Sequence, residues 1–193
     1  SLKWMTGNPI MLTTLAIVYW NEQKFPEGRT YLYSAVFGIL LLSRKQRPGR
    51  PGVDQCRNLL RELALAMHMR PWGRKVLADR RWAAEQIYTK FPGSDDKEKI
   101  GNAEYFLCQE ELDSGILLGR GNDITFWHLT FQEYLAAAAL GGRLELEQQR
   151  LLINPDILYH PEWREVLLLF GSVLYYQGTD KLDNFFTAIL EYT

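Results

Sequence analysis

Apolar residues recur along the chain at helical spacing in successive blocks, and short stretches rich in proline and glycine separate the blocks. The first block predicts a helix from about Pro9 to Asn21, with Asn8 as its N-cap and Pro9 at the first helical position. Its apolar residues Ile10, Met11, Leu12, Leu15, Ile17, Val18 and Tyr19 surround nearly the whole circumference, so other helices are expected to enclose it. Phe25-Pro26-Glu27-Gly28 breaks the pattern, and a second apolar helix is predicted from Arg29 to Lys45. Arg47-Pro48-Gly49-Arg50-Pro51-Gly52 cannot continue a helix and reads as the clearest linker.

Beyond the linker the pattern predicts helices over Val53–Met69, Trp82–Lys90 and Lys97–Asp113. Two short apolar strands follow, Ile116–Arg120 and Ile124–Leu129, bracketing a Gly121-Asn122-Asp123 turn suited to a hairpin. Three helices and then a hairpin is the element order of a winged helix. A helix over Phe131–Leu140 comes next and Gly141-Gly142 ends it. Arg143–Leu152, Glu162–Gln177 and Lys181–Tyr192 then read as further helices without a visible repeat period. The expected fold is mainly α. It comprises a helical domain over 1–47, a winged-helix domain with one β-hairpin over 53–141, and the start of a C-terminal helical region over 142–193.

The densest local signals lie in Phe126-Trp127-His128-Leu129-Thr130-Phe131-Gln132-Glu133-Tyr134-Leu135-Ala136-Ala137. Thr130 and Glu133 have the spacing of a capping box, and Leu129 and Tyr134 that of a hydrophobic staple. Together they are expected to hold His128 at a rigid strand-to-helix corner. This stretch closely resembles the F-x-H-x-[ST]-F-Q-E-[YF]-x-A-A signature of NACHT-type signalling NTPases of the STAND class. Gly7-Asn8-Pro9 with Leu12 resembles that family's G-N-P-x-x-L segment, and the two matches come in the family's order and at a similar separation. The resemblance implies that His128 contacts the β-phosphate of bound ADP in the resting protein and that Pro9 packs near the adenine. It further implies a parent protein whose own P-loop ATPase core is the partner, with ADP or ATP and Mg²⁺ bound there, and with release of the winged helix permitting oligomerisation.

The 193 residues carry a formal net charge of −1 and are 47% hydrophobic, which indicates a globular chain without the basic excess of a DNA-phosphate binder. Glu110, Glu111 and Asp113 fall on the helix that would be the recognition helix, read as a solvated acidic face that opposes phosphate. Arg70, Arg74, Lys75, Arg80 and Arg81 form the basic cluster, read as a solvated or intramolecular surface. Cys56 and Cys108 match no metal spacing and read as buried reduced thiols, and His68 and His160 have no partners at ligand spacing. The sequence contains no G-x-x-x-x-G-K-[ST], so the chain is expected to bind no cofactor and catalyse nothing by itself.

Ser1-Leu2-Lys3-Trp4 lacks the shape of a signal peptide and reads as the cut edge of a longer chain. Apolar runs shorter than about 18 residues predict no membrane span and a cytoplasmic setting. Two alternatives remain open: a winged-helix regulator that binds DNA directly, and a helical protein-interaction adaptor that uses no nucleotide.

Overall fold

The structure is a computed structural model that describes residues 9–42, 50–69 and 73–192, with side chains from Leu12 onward. Helix α1 (Pro9–Glu22) and helix α2 (Arg29–Leu42) pair as an antiparallel hairpin across the Phe25-Pro26 break. The described part of α2 ends at Leu42, so the predicted turn to Lys45 and the first half of the linker, 47–49, lie outside the described residues. Helix α3 (Val53–His68) follows, then strand β1 (Ala78–Asp79), helix α4 (Arg80–Ile87), helix α5 (Asp96–Asp113) and the hairpin β2 (Leu117–Arg120) and β3 (Asp123–Phe126). The sheet order is β1-β3-β2, all antiparallel. A small three-stranded sheet threaded through three helices is a winged helix, so the expected class holds.

Several local features differ from the pattern-based expectation. Strand β1 was not foreseen: two residues are too few to show a period, and Ala78 and Asp79 find their partners only across the sheet, on Ile124 and Asp123. Asp79 also caps α4 by accepting the Trp82 N–H at 2.9 Å. The hairpin turn is two residues, since Arg120 pairs directly with Asp123. Gly121 carries it at φ +65°, where a side chain would be strained. Helix α5 has the reciprocal cap instead: Asp95 accepts from the Glu98 N–H at 2.7 Å and the Glu98 carboxylate accepts from the Ser94 N–H at 2.7 Å.

Helix α6 (Leu129–Gly141) is the axis of the fold. It is buried from Phe131 to Gly141 and lies between α3 and α9 (Arg164–Gln177), with α2 across its first turns. Its alanines permit this close packing, and at Gly141 a Cβ would overlap the Val173 side chain. Helices α7 (Glu145–Leu152), α8 (Pro155–Leu158) and α10 (Thr179–Tyr192) complete the C-terminal part, α10 packing on α9 and α7. Glu162 and Trp163 belong to a 3₁₀ turn that leads into α9 rather than to the helix itself.

The described residues do not enclose helix α1, contrary to its all-round apolar pattern. Among its described side chains Val18 and Thr14 are buried, whereas Trp20 is 78% exposed and Leu12 and Tyr19 are also open. Among the described residues α2 makes the main contacts with α1 and Leu15 packs against the core, while the Leu12, Tyr19 and Trp20 side chains stay open. No helix among the described residues is long and apolar enough to cross a membrane.

Candidate functional site

The signature stretch folds as a corner between β3 and α6. The Trp127 N–H donates to the Ile116 carbonyl at 2.8 Å, which ends the hairpin, and His128 sits in extended backbone (φ −146°, ψ 150°) immediately before the helix. The predicted capping box is not there. His128 is itself the N-cap: its Nδ1 accepts the Thr130 N–H at 3.2 Å and lies 2.9 Å from Thr130 Oγ1. Glu133 is 4% exposed and points instead to Arg74, at 3.2 Å. The predicted Leu129–Tyr134 staple falls with the capping box, because with His128 as cap the residue before the cap is Trp127 and the fourth helical position is the polar Gln132. Trp127 packs on the third helical residue instead, its ring 5.4 Å from that of Phe131.

A backbone N–H can only donate, so the cap requires an Nδ1 without a proton. The neutral ring then carries its hydrogen on Nε2. That atom has no hydrogen-bond partner among the described residues, and the residue is half-buried. The corner therefore presents one N–H donor at the start of α6, where the helix dipole also favours an anion.

The other signature residues are structural. Phe131 is fully buried with its ring edge-on to Tyr33 and Phe37, at 5.8 and 5.2 Å, and Tyr134 stacks on Phe37 at 5.7 Å. This aromatic cluster seats α2 on α6. Gln132 is buried and donates to the Lys75 carbonyl at 2.9 Å. Pro9 opens α1, but its side chain, Gly7 and Asn8 lie outside the described residues. The structure thus gives no position for an adenine contact there.

The acidic residues of α5 are not a solvated face. Glu110 is 0% exposed, and its Oε1 accepts from Arg50 Nε at 2.9 Å with Nη2 at 2.8 Å, an ion pair inside the winged helix. Asp113 is buried too, and Glu111 pairs with Arg80 at 2.8 Å. The exposed surface of α5 is mixed, with Asp96, Lys97 and Glu98 at its start and Tyr105 and Leu112 further along. The basic cluster is spent within the chain: Arg81 meets Glu85 and Glu104, Arg74 meets Glu133 and Glu162, and Lys75 lies over the Trp82 ring at 5.1 Å. Arg70 lies outside the described residues.

Cys56 is buried, with its thiol pushed up to about 12 chiefly by burial, whereas Cys108 is only half-buried. His68 is buried against Trp163 and its Nε2 donates to the Glu162 carbonyl at 2.9 Å. No group of residues that could hold a metal ion occurs among the described residues.

The sequence model of the family described as the winged helix-turn-helix domain C-terminal to NACHT matches residues 12–140, well over half of the chain. The chain belongs to that family. The match runs from α1 through α6, so the helical hairpin, the winged helix and the His128 corner all fall inside the NACHT-associated domain. No curated protein and no solved structure matches the chain.

Arg50, Arg74 and Glu162 escaped the reading of the sequence as paired residues. Each partner lies 59 to 88 positions away in the chain, and no local spacing encodes such a contact.

Proposed function

We propose that the chain is the regulatory part of a NACHT-type signalling NTPase, which closes over ADP in the resting state and swings away to permit oligomerisation. The observation that carries this reading is the division of labour within one imidazole. Nδ1 is committed to the cap of α6, which leaves Nε2–H, without a partner among the described residues, as a donor suited to a β-phosphate oxygen. One donor is a partial site. The phosphate loop, the Mg²⁺ ligands and the catalysis belong to the parent's ATPase core, so the chain alone binds ADP or ATP at most weakly and hydrolyses neither. The uncovered apolar face of α1 supports a docking partner on that side, and Pro9 at its start would lie near the adenine. In this scheme residues 1–47, 53–141 and 142–193 act as the helical domain, the winged helix and the start of the C-terminal region, in a cytoplasmic protein.

A ligand shifts such a switch only through unequal affinity for the two states. A phosphate hydrogen bond made in the closed state alone contributes about 1.5–3 kcal/mol, roughly ten- to hundredfold in population. Direct DNA binding suits this surface poorly, because beyond Lys97 and Lys99 in its first turn α5 carries no cation, its exposed large side chains are Tyr105 and Leu112, and Arg80 is tied to Glu111. The test is His128→Asn in the full-length parent, since asparagine caps helices well and cannot extend a donor to the position of Nε2. Co-purified ADP should fall and basal oligomerisation rise. A mutant that keeps its ADP and stays monomeric removes His128 from the site.

A further inference from the structure

Residues 73–75 form a strap between the winged helix and the head of α9. The Lys75 N–H donates to the Met67 carbonyl of α3 at 2.7 Å, and Gln132 of α6 donates to the Lys75 carbonyl at 2.9 Å. Arg74 between them faces two carboxylates from different elements. Its Nη1 lies 3.2 Å from Glu133 on α6, its backbone N–H donates to Glu162 at 2.8 Å, and its Nε is 3.9 Å from the same carboxylate. Gly73 permits the approach: it sits at φ +95°, and a Cβ there would crowd Glu162 at 3.2 Å. One turn along, Glu165 of α9 holds Arg29 of α2 at 2.9 Å. The start of α9 is thus the point where the strap, α2 and the winged helix converge.

We infer that Arg74, held between Glu133 and Glu162, is a latch that couples the His128 corner to the C-terminal helices. His128 caps α6, and Glu133 lies five residues along the same helix, so a displacement of the corner carries Glu133 with it. Arg74 then loses its partner on α6, and the head of α9 loses the strap that ties it to the winged helix. The two states differ because Glu133 is nearly fully buried: once Arg74 withdraws, its carboxyl must take up a proton or keep a charge that has lost its hydrogen-bonded arginine. Burial already raises the Glu133 carboxyl, with Glu165 adding to the rise and Arg74 and Arg29 opposing it. The apolar contacts of Val166, Leu169 and Phe170 would keep α9 in place, so the latch governs opening of its first turn rather than detachment of the helix.

Amide hydrogen exchange on the 193-residue chain tests this without nucleotide. Arg74→Met keeps the side-chain stem and removes the charge. It should speed exchange at least tenfold over residues 161–170 while leaving β2, β3 and α5 unchanged. His128→Ala should speed the same residues, and in the Arg74→Met background it should add little, since the pathway is already broken. Arg74→Lys, which keeps a charge but loses the fork, should fall between wild type and Arg74→Met and serves where the methionine variant does not fold. Unchanged exchange at 161–170, uniform acceleration of the whole chain, or strictly additive effects of His128→Ala and Arg74→Met would each overturn the latch. That nucleotide is what moves the corner rests on the proposed function, whose own test is ADP retention in the parent, so either idea can fail while the other stands.

Discussion

Replacing His128 in two different ways separates its structural role from its chemical one. In the chain alone, His128→Ala removes the side-chain acceptor for the Thr130 N–H, leaving one more unsatisfied donor at the start of α6. Loss of a side-chain cap costs about 0.5–2 kcal/mol, and the 3.2 Å length of this bond places the expected cost near 1 kcal/mol. For a chain of this size, about 1 kcal/mol lowers Tm by roughly 2–4 °C. His128→Asn supplies a short acceptor at the same position and should melt at the wild-type temperature or slightly above. Thermal denaturation followed by circular dichroism at constant pH measures both. If His128→Ala melts with wild type, the imidazole does not cap the helix, and the argument that fixes the hydrogen on Nε2 fails with it. Equal losses for the alanine and asparagine variants would point to ring packing instead of capping.

Two further measurements probe the interior of the same corner. Phe131→Ala should cost about 3–5 kcal/mol in urea denaturation, because the ring is fully buried among Tyr33, Phe37 and Trp127; a loss under about 1 kcal/mol would contradict the packing. Glu133 is pushed up to about 7 from an ordinary 4.5, mainly by burial, so the folded chain holds its proton more tightly than the unfolded one. The stability this gives is complete below about pH 4.5 and is lost as pH rises toward 7. The difference in denaturation midpoint between pH 5 and pH 7.5 should therefore shrink in Glu133→Gln, and an unaltered pH dependence would show that Glu133 is not the group responsible.

The helices, the hairpin and the His128 corner were legible because their signals are local. A 3.6-residue period, an alternating strand and a Gly-Asn turn each act over a few residues, and the family signature is continuous in the chain. The same locality explains the errors. Thr130-x-x-Glu133 has capping-box spacing, yet Glu133 is drawn away by Arg74, a contact 59 residues distant. Glu110 looked like part of an acidic surface until Arg50, 60 residues earlier, was found beside it inside the core. The apolar pattern of α1 predicted enclosure, but periodicity describes only what a helix can bury and says nothing about what stands next to it.

By itself the sequence determined the order of the longer helices and the hairpin, the winged-helix class and the position of His128 where strand meets helix, because hydrogen bonding and apolar period between near neighbours are sufficient for each. Only the tertiary structure decided which charges are paired, which apolar faces stay open, and that the histidine is the cap of its own helix. Those outcomes depend on which distant group the folded packing places beside a buried carboxylate or an unfilled backbone donor. In a low-dielectric interior such a partner outweighs any preference written into the local spacing.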